Sequence, residues 1–208
     1  MKKLKIPEET IERLPLYLRR SKELSGNGED FVSSQEFVEK LPGISSDNLR
    51  KDLSFFGNFG VKGQGYNTNQ LLSRLRSILK LQADTKVALI GVGNLGSALL
   101  THKEFSRWGF MITAAFDKDP RVVGSQIGGI SIQPIQGLNQ TIQNEAINVA
   151  MIAVPAGEAQ SVANSVVSAG VKGILNFAPV LLDVPQEVQV EQVDITSKLK
   201  ELNYYLEG

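Results

Sequence analysis

The chain has 208 residues, 42% hydrophobic and 21% charged, ordinary proportions for a globular protein that buries a real core. It contains no cysteine, which excludes structural disulfides, thiolate metal sites and thiol redox switching. The formal charge is zero, yet residues 1–82 carry 14 Lys and Arg against 10 Asp and Glu, and residues 83–208 carry 8 against 12. Such an asymmetry suggests a basic part that meets an anion and a second part with another job.

The opening residues lack the apolar stretch of a signal peptide, and no run is long enough to cross a bilayer. A cytoplasmic protein without membrane contact is expected, and no metal site is predicted. From Ile6 to about Leu24, Ile11, Leu14 and Leu18 recur at helical spacing, with Pro7 suited to a first turn. Ser33-Ser-Gln-Glu36 reads as a capping box for a short helix ending near Leu41, before Pro42-Gly43. Ser45 is the N-cap expected for a helix over Ser46–Phe56, which stops at Gly57. The glycines between Gly57 and Gly65 predict a tight hairpin, and Thr68–Leu81 returns to helical periodicity. Gln82-Ala-Asp-Thr85 reads as a connection.

After it the rhythm changes. Apolar runs at Val87–Gly91, Phe110–Phe116, Ile147–Val154 and Gly173–Phe177, with helical spacing over Gly157–Ala169 and an alternating Val188–Val193, predict strands alternating with helices. That pattern implies a parallel sheet covered on both faces. Thr196–Leu206 reads as a terminal helix.

Gly91-Val92-Gly93-Asn94-Leu95-Gly96 matches G-x-G-x-x-G and stands between a predicted strand and a predicted helix, the context that gives the pattern meaning. The first glycine permits the tight turn, the second admits a pyrophosphate, and the third lets helix and strand pack. Asp117, 21 residues after Gly96 at the end of the next strand, is placed to bond an adenosine ribose and favours NAD over NADP. Its neighbour Lys118 works against that preference. Val154-Pro155-Ala156 and Asn176-Phe177-Ala178-Pro179 fall at strand ends, where open α/β sheets bind ligands; Asn176 is a candidate carboxamide anchor and Phe177 a candidate ring neighbour.

Three helices and a glycine-rich hairpin outline a winged helix. On its third helix Asn48, Arg50, Lys51 and Ser54 are candidate DNA contacts, with Leu49, Leu53 and Phe56 at core spacing. Ser46 and Gly63 join them, Lys62 is placed as a wing-tip cation, and Tyr66 would brace the wing or touch the DNA backbone. A plainer reading has Arg50 and Lys51 simply solvating a helix beside Asp47 and Asp52.

Several segments together resemble the Rex family of redox-sensing transcriptional repressors. They are Arg13-Leu-Pro-Leu-Tyr-Leu-Arg19, Val32-Ser-Ser34, Arg50-Lys-Asp-Leu-Ser-Phe-Phe-Gly57, Gly63-Gln-Gly-Tyr66, Gly91–Gly96, Ala115-Phe-Asp-Lys-Asp-Pro120 and Gly170–Pro179. The resemblance implies an α/β chain. Its parts are an N-terminal winged-helix domain (residues 1–82), a Rossmann-like doubly wound parallel sheet (83–193) and a C-terminal helix (194–208) exchanged between the subunits of a homodimer. It implies binding of a palindromic double-stranded DNA operator, with release when NADH replaces NAD+ as the sensed ligand. It also implies coupling through Arg19 and Asp194. The family has a tyrosine near the nicotinamide where this chain has His102, so the NADH response is expected to depend on pH. Two rivals remain at this level. One is an NAD-dependent dehydrogenase with a small N-terminal cap, weakened because His102 is the sole histidine and has no second acid–base group in a substrate-sized domain. The other is a regulator that reads coenzyme A through the same loop.

Overall fold

The computed structural model describes residues 6–61 and 63–206. The chain divides between Ala83 and Asp84 into two compact units. Lys62 lies outside the described residues.

The first unit is helical with a small sheet. Helix α1 spans Glu8–Gly26 with Pro7 as its N-cap, so the proline precedes the first turn instead of lying in it. Leu14, Tyr17, Leu18 and Leu24 are buried, whereas Ile11 is exposed. Helix α2, Ser34–Val38, starts at the expected capping box. Ser33 Oγ accepts from the Glu36 N–H at 3.2 Å, and Glu36 Oε2 accepts from the Ser33 N–H at 2.9 Å. Helix α3, Ser46–Ser54, is capped by Ser45 in the same manner, with Asn48 as the reciprocal partner. Both short helices stop sooner than periodicity predicts, because apolar residues in the turns that follow continue the spacing without continuing the helix. A two-residue strand β1 (Phe31–Val32) was not foreseen. It pairs with β3 (Gly65–Asn67), which in turn pairs with β2 (Gly60–Val61), giving an antiparallel sheet in the order β1-β3-β2. Gly65 is required there: at φ +87°, a Cβ would stand 2.2 Å from the Val32 carbonyl oxygen. Helix α4 (Thr68–Ile78) closes the unit. Rings of Tyr17, Phe37 and Tyr66 meet edge to face at 6.1 and 6.5 Å in its core. Three helices, a small three-stranded antiparallel sheet and a closing helix, in the order α1-β1-α2-α3-β2-β3-α4, make a winged helix.

The second unit is a seven-stranded sheet. Strands β4 (Thr85–Ile90), β5 (Phe110–Asp117), β6 (Gln126–Ile127), β7 (Ile130–Pro134), β8 (Val149–Ile152), β9 (Gly173–Asn176) and β10 (Gln189–Gln192) lie in the order β10-β9-β8-β4-β5-β7-β6. All pairings are parallel except the β6–β7 hairpin. The order reverses beside β4, which places a switch point at the glycine loop. Helices α5 (Asn94–Thr101), α6 (Glu104–Arg107), α7 (Leu138–Glu145), α8 (Ala156–Ser168) and α9 (Ile195–Leu206) complete it. Along β4, Val87 and Leu89 pack into one core and Ala88 and Ile90 into the other, all at most 1% exposed. This is why the strand reads as an unbroken apolar run. The β6–β7 hairpin and α7 were not predicted; Gly128-Gly129, both at positive φ, form the hairpin turn and were the available signal. No helix among the described residues is long and apolar enough to cross a membrane.

Candidate functional site

The glycine loop shows three glycines doing three different things. Gly91 sits at φ +93°, and a Cβ there would lie 2.6 Å from the Ala153 carbonyl oxygen. At Gly96 a Cβ would lie 2.0 Å from the Gly91 carbonyl oxygen, so helix and strand pack with no room for a side chain. Gly93, the N-cap of α5, has no atom within 4 Å of that position. The open side of Gly93, with Asn94 and Leu95 exposed in the first helical turn, leaves free backbone N–H groups at a helix N-terminus.

A cleft of about 510 Å³ opens here at the ends of β4, β5 and β8, lined by Gly91, Val92, Gly93, Asp117, Lys118, Val154, Pro155 and Glu158 among others. Asp117 braces the loop: its Oδ2 accepts from the Val92 N–H at 2.6 Å and its Oδ1 from the Asp119 N–H at 2.8 Å. Lys118 reaches Glu158 of α8, Nζ to Oε1 2.6 Å. Sequence reasoning had missed Glu158, although an acid in the first turn after a strand was visible.

Four expected residues stand differently. Asn176 is fully buried, and both its amide protons are taken by acceptors on Ala178, Val180 and Gln192, while its Oδ1 accepts from the Ala178 N–H. It ties the turn after β9, so its amide is not offered to the cleft. Ala178 is buried in the core and Phe177 packs on the opposite core cluster; none of the three lines the cleft. His102 is the C-cap of α5. It borders a separate hollow of about 370 Å³ with Leu100, Phe105, Phe110 and Ile130, and its ring meets Phe105 edge-on at 5.0 Å. Among the described residues no cluster of His, Asp or Glu is arranged to hold a metal ion.

In the first unit, Ser46, Arg50 and Ser54 follow one another at i, i+4, i+8 along α3. Arg50, Lys51 and Ser54 are exposed, and Ser46 is half-buried. Arg50 donates to Ser34 Oγ at 2.8 Å and pairs with Asp47. Asn48 commits its side-chain oxygen to the capping box, accepting from the Ser45 N–H at 3.0 Å and the Ser45 hydroxyl at 2.6 Å. Tyr66 points inward and is 6% exposed; burial pushes its hydroxyl pKa up, against the opposing charge of Arg50. It is a brace of the wing. Gly63 is exposed in the hairpin turn at φ +81°.

Asp52, on the opposite face, is the residue the plainer reading misjudged. It is 1% exposed and accepts from Arg13 Nε (2.6 Å) and Nη2 (2.9 Å), the Tyr17 hydroxyl (2.7 Å) and the Thr10 hydroxyl (2.8 Å). Burial pushes its pKa up, but these hydrogen bonds and the Arg13 charge outweigh it and hold the carboxyl below its usual range. Thr10, Arg13 and Tyr17 stand at i, i+3 and i+7 on α1, a signal that one polar face was meant for a buried partner. Arg19 is exposed. Asp194 caps α9, accepting from the Ser197 hydroxyl at 2.7 Å and the Ser197 N–H at 3.0 Å, which lowers its pKa.

Two family models match separate stretches of the chain. Residues 5–54 match the family model described as "Putative DNA-binding protein N-terminus", and residues 82–180 match the model of a CoA binding domain. The redox-sensing transcriptional repressor Rex of Syntrophobacter fumaroxidans is 45% identical over 207 residues, 99% of this chain and 98% of that one. Rex of Desulfitobacterium hafniense is 42% identical over 204 residues, covering 98% and 97%. Among solved structures, RSP in complex with beta-NAD+ and operator DNA superposes with a TM-score of 0.93 at 35% identity, covering 97% of this chain and 93% of that one. RSP with beta-NADH gives 0.88 at 33% identity, covering 97% and 94%. At this identity along nearly the whole length, the chain belongs to the Rex family of redox-sensing transcriptional repressors.

Proposed function

We propose that this chain is a homodimeric, cytoplasmic repressor that occupies a palindromic operator and leaves it when NADH displaces NAD+. The observation that carries the reading is the glycine geometry. Gly91 and Gly96 are sealed by backbone while Gly93 faces open space, in a chain that also holds a winged helix. The dinucleotide's pyrophosphate lies on the α5 N-terminus, with Val92, Asn94 and Leu95 around it. Asp117 and Lys118 flank the adenosine ribose, and Val154 and Pro155 form the far wall.

In this reading residues 1–82 bind DNA, 83–193 hold the dinucleotide and 194–208 are exchanged with the partner. Support for the exchange comes from α9, where Ile195, Leu199, Leu202 and Leu206 repeat at helical spacing and remain uncovered. Arg50 and Lys51 read the major groove, with Ser46 and Ser54 on phosphates and Lys62 and Gly63 at the wing tip in the minor groove. Arg19 couples to the partner's Asp194, and His102 occupies the place of the family tyrosine. The chain reads the dinucleotide without turning it over. NADH shifts the dimer off DNA only by binding the released arrangement more tightly than the bound one.

A gel shift on a palindromic operator with NADH, NAD+, NADPH and coenzyme A in turn tests this. NADH should release the DNA and NAD+ should oppose that release. Indifference to all four overturns the reading, and release by coenzyme A alone favours the rival ligand that the CoA binding domain match suggests.

A further inference from the structure

Around the ribose end of the cleft, each basic side chain is closed on a carboxylate. Lys118 is the sole basic residue among those that line the cleft, and its Nζ stands 2.6 Å from Glu158 Oε1. Just outside, Arg121 grips Asp119, Nη2 to Oδ2 2.6 Å, a bond that helps hold the Asp119 carboxyl down to about 2. Asp117 has both oxygens on backbone N–H groups. Asp117, Asp119 and Glu158 line the cleft against the single lysine, an excess of negative charge where a nucleotide presents its ribose.

A lysine directly after the ribose aspartate is the residue that a phosphorylated ribose would use. We propose that Glu158 is a specificity-determining residue: by holding Lys118, it denies a 2′-phosphate the one cation that lines the cleft and so restricts the site to NAD(H). The inference rests on the dinucleotide reading given above. Lys118 and Glu158 side chains are 67% and 35% exposed, so the pair adds little to stability. Specificity, however, is a difference between ligands. Breaking the pair and meeting three carboxylates both count against a phosphate dianion, whereas a ribose diol incurs neither. Asp117 alone would give a preference that does not depend on α8, and this separates the two explanations.

The test measures NADH and NADPH dissociation constants by titration calorimetry for the full chain, E158Q and the double variant K118A/E158Q. In E158Q, NADPH should bind about tenfold more tightly while NADH changes less than threefold. Adding K118A should remove most of the gain. An NADPH-to-NADH ratio in E158Q within twofold of the wild type overturns the proposal, as does a gain that survives K118A undiminished. Wild-type chain that binds no NADH removes the dinucleotide reading and this inference with it; NADH binding with an unchanged ratio removes only the role of Glu158.

Discussion

Arg13 of α1 holds Asp52 of α3 through two parallel hydrogen bonds, Nε to Oδ2 and Nη2 to Oδ1. The opposite face of α3 carries Arg50 and Lys51. A fork-to-fork pair fixes orientation as well as distance, and Tyr17 and Thr10 complete the set of donors on the same carboxylate. The pose of the exposed basic side chains of α3 therefore depends on a carboxylate buried on the helix's inner side.

Asp52→Asn should destabilise the first unit by about 2–4 kcal/mol, since an amide turns a donor toward Arg13 and leaves buried groups mismatched. Urea unfolding followed by circular dichroism measures this. A change below 0.5 kcal/mol, given as a rough threshold for a surface substitution, would show the cluster to be dispensable.

The same carboxyl sets a pH dependence. Its pKa is lower folded than unfolded, so its contribution is complete above the unfolded value of roughly 4 and is lost as pH falls through the folded value. Melting temperatures of the wild type and Asp52→Asn should therefore converge between pH 5 and pH 3, taken as an approximate window. A gap that stays constant with acidification would contradict the assignment.

Arg50→Ala should abolish specific operator binding, a loss of at least about 1–3 kcal/mol for a bidentate base contact, while NADH affinity stays within twofold. Operator gel shifts and NADH titration on one preparation decide it. Loss of both activities together would contradict the division of labour between the units.

The glycine loop separates folding from binding. Gly96→Ala drives a Cβ against the Gly91 carbonyl oxygen and should lower the melting temperature. Gly93→Ala meets no protein atom, so the melting temperature should hold while NADH weakens more than about tenfold, the methyl group occupying the pyrophosphate's approach. If Gly93→Ala binds NADH normally, the loop does not cradle phosphate.

Asp117→Ala should weaken NADH without harming operator binding by the ligand-free protein. Because Asp117 also braces Val92 and Asp119, Asp117→Asn should recover part of the loss. Equal loss in both variants would assign the effect to charge alone, and unchanged affinity in both would remove Asp117 from the site.

Much of the site was legible because its signals are short. The Ser33–Glu36 capping box involves residues three apart, Ser45 was legible as an N-cap though its reciprocal partner Asn48 was not, and G-x-G-x-x-G depends on what adjoins a single turn. The bare strand β1 escaped notice because two residues carry no period; it exists through Tyr66 and Asn67, its partners across the sheet.

By itself the sequence determined the order of the two units, the glycine loop, the acid at the end of β5 and the exposed basic stripe of α3, since each follows from spacing within one or two turns of chain. Only the tertiary structure decided that Asp52 is a buried tie, that Asn176 serves its own turn, and that Lys118 is claimed by Glu158. Asp52 and Lys118 meet partners 35–42 residues away. Asn176 reaches Gln192 across 16 residues as well as its own turn. A side chain's chemistry depends on which neighbours desolvate it and bond it; a local pattern can mark a polar face, as on α1, but does not name the partner that meets it.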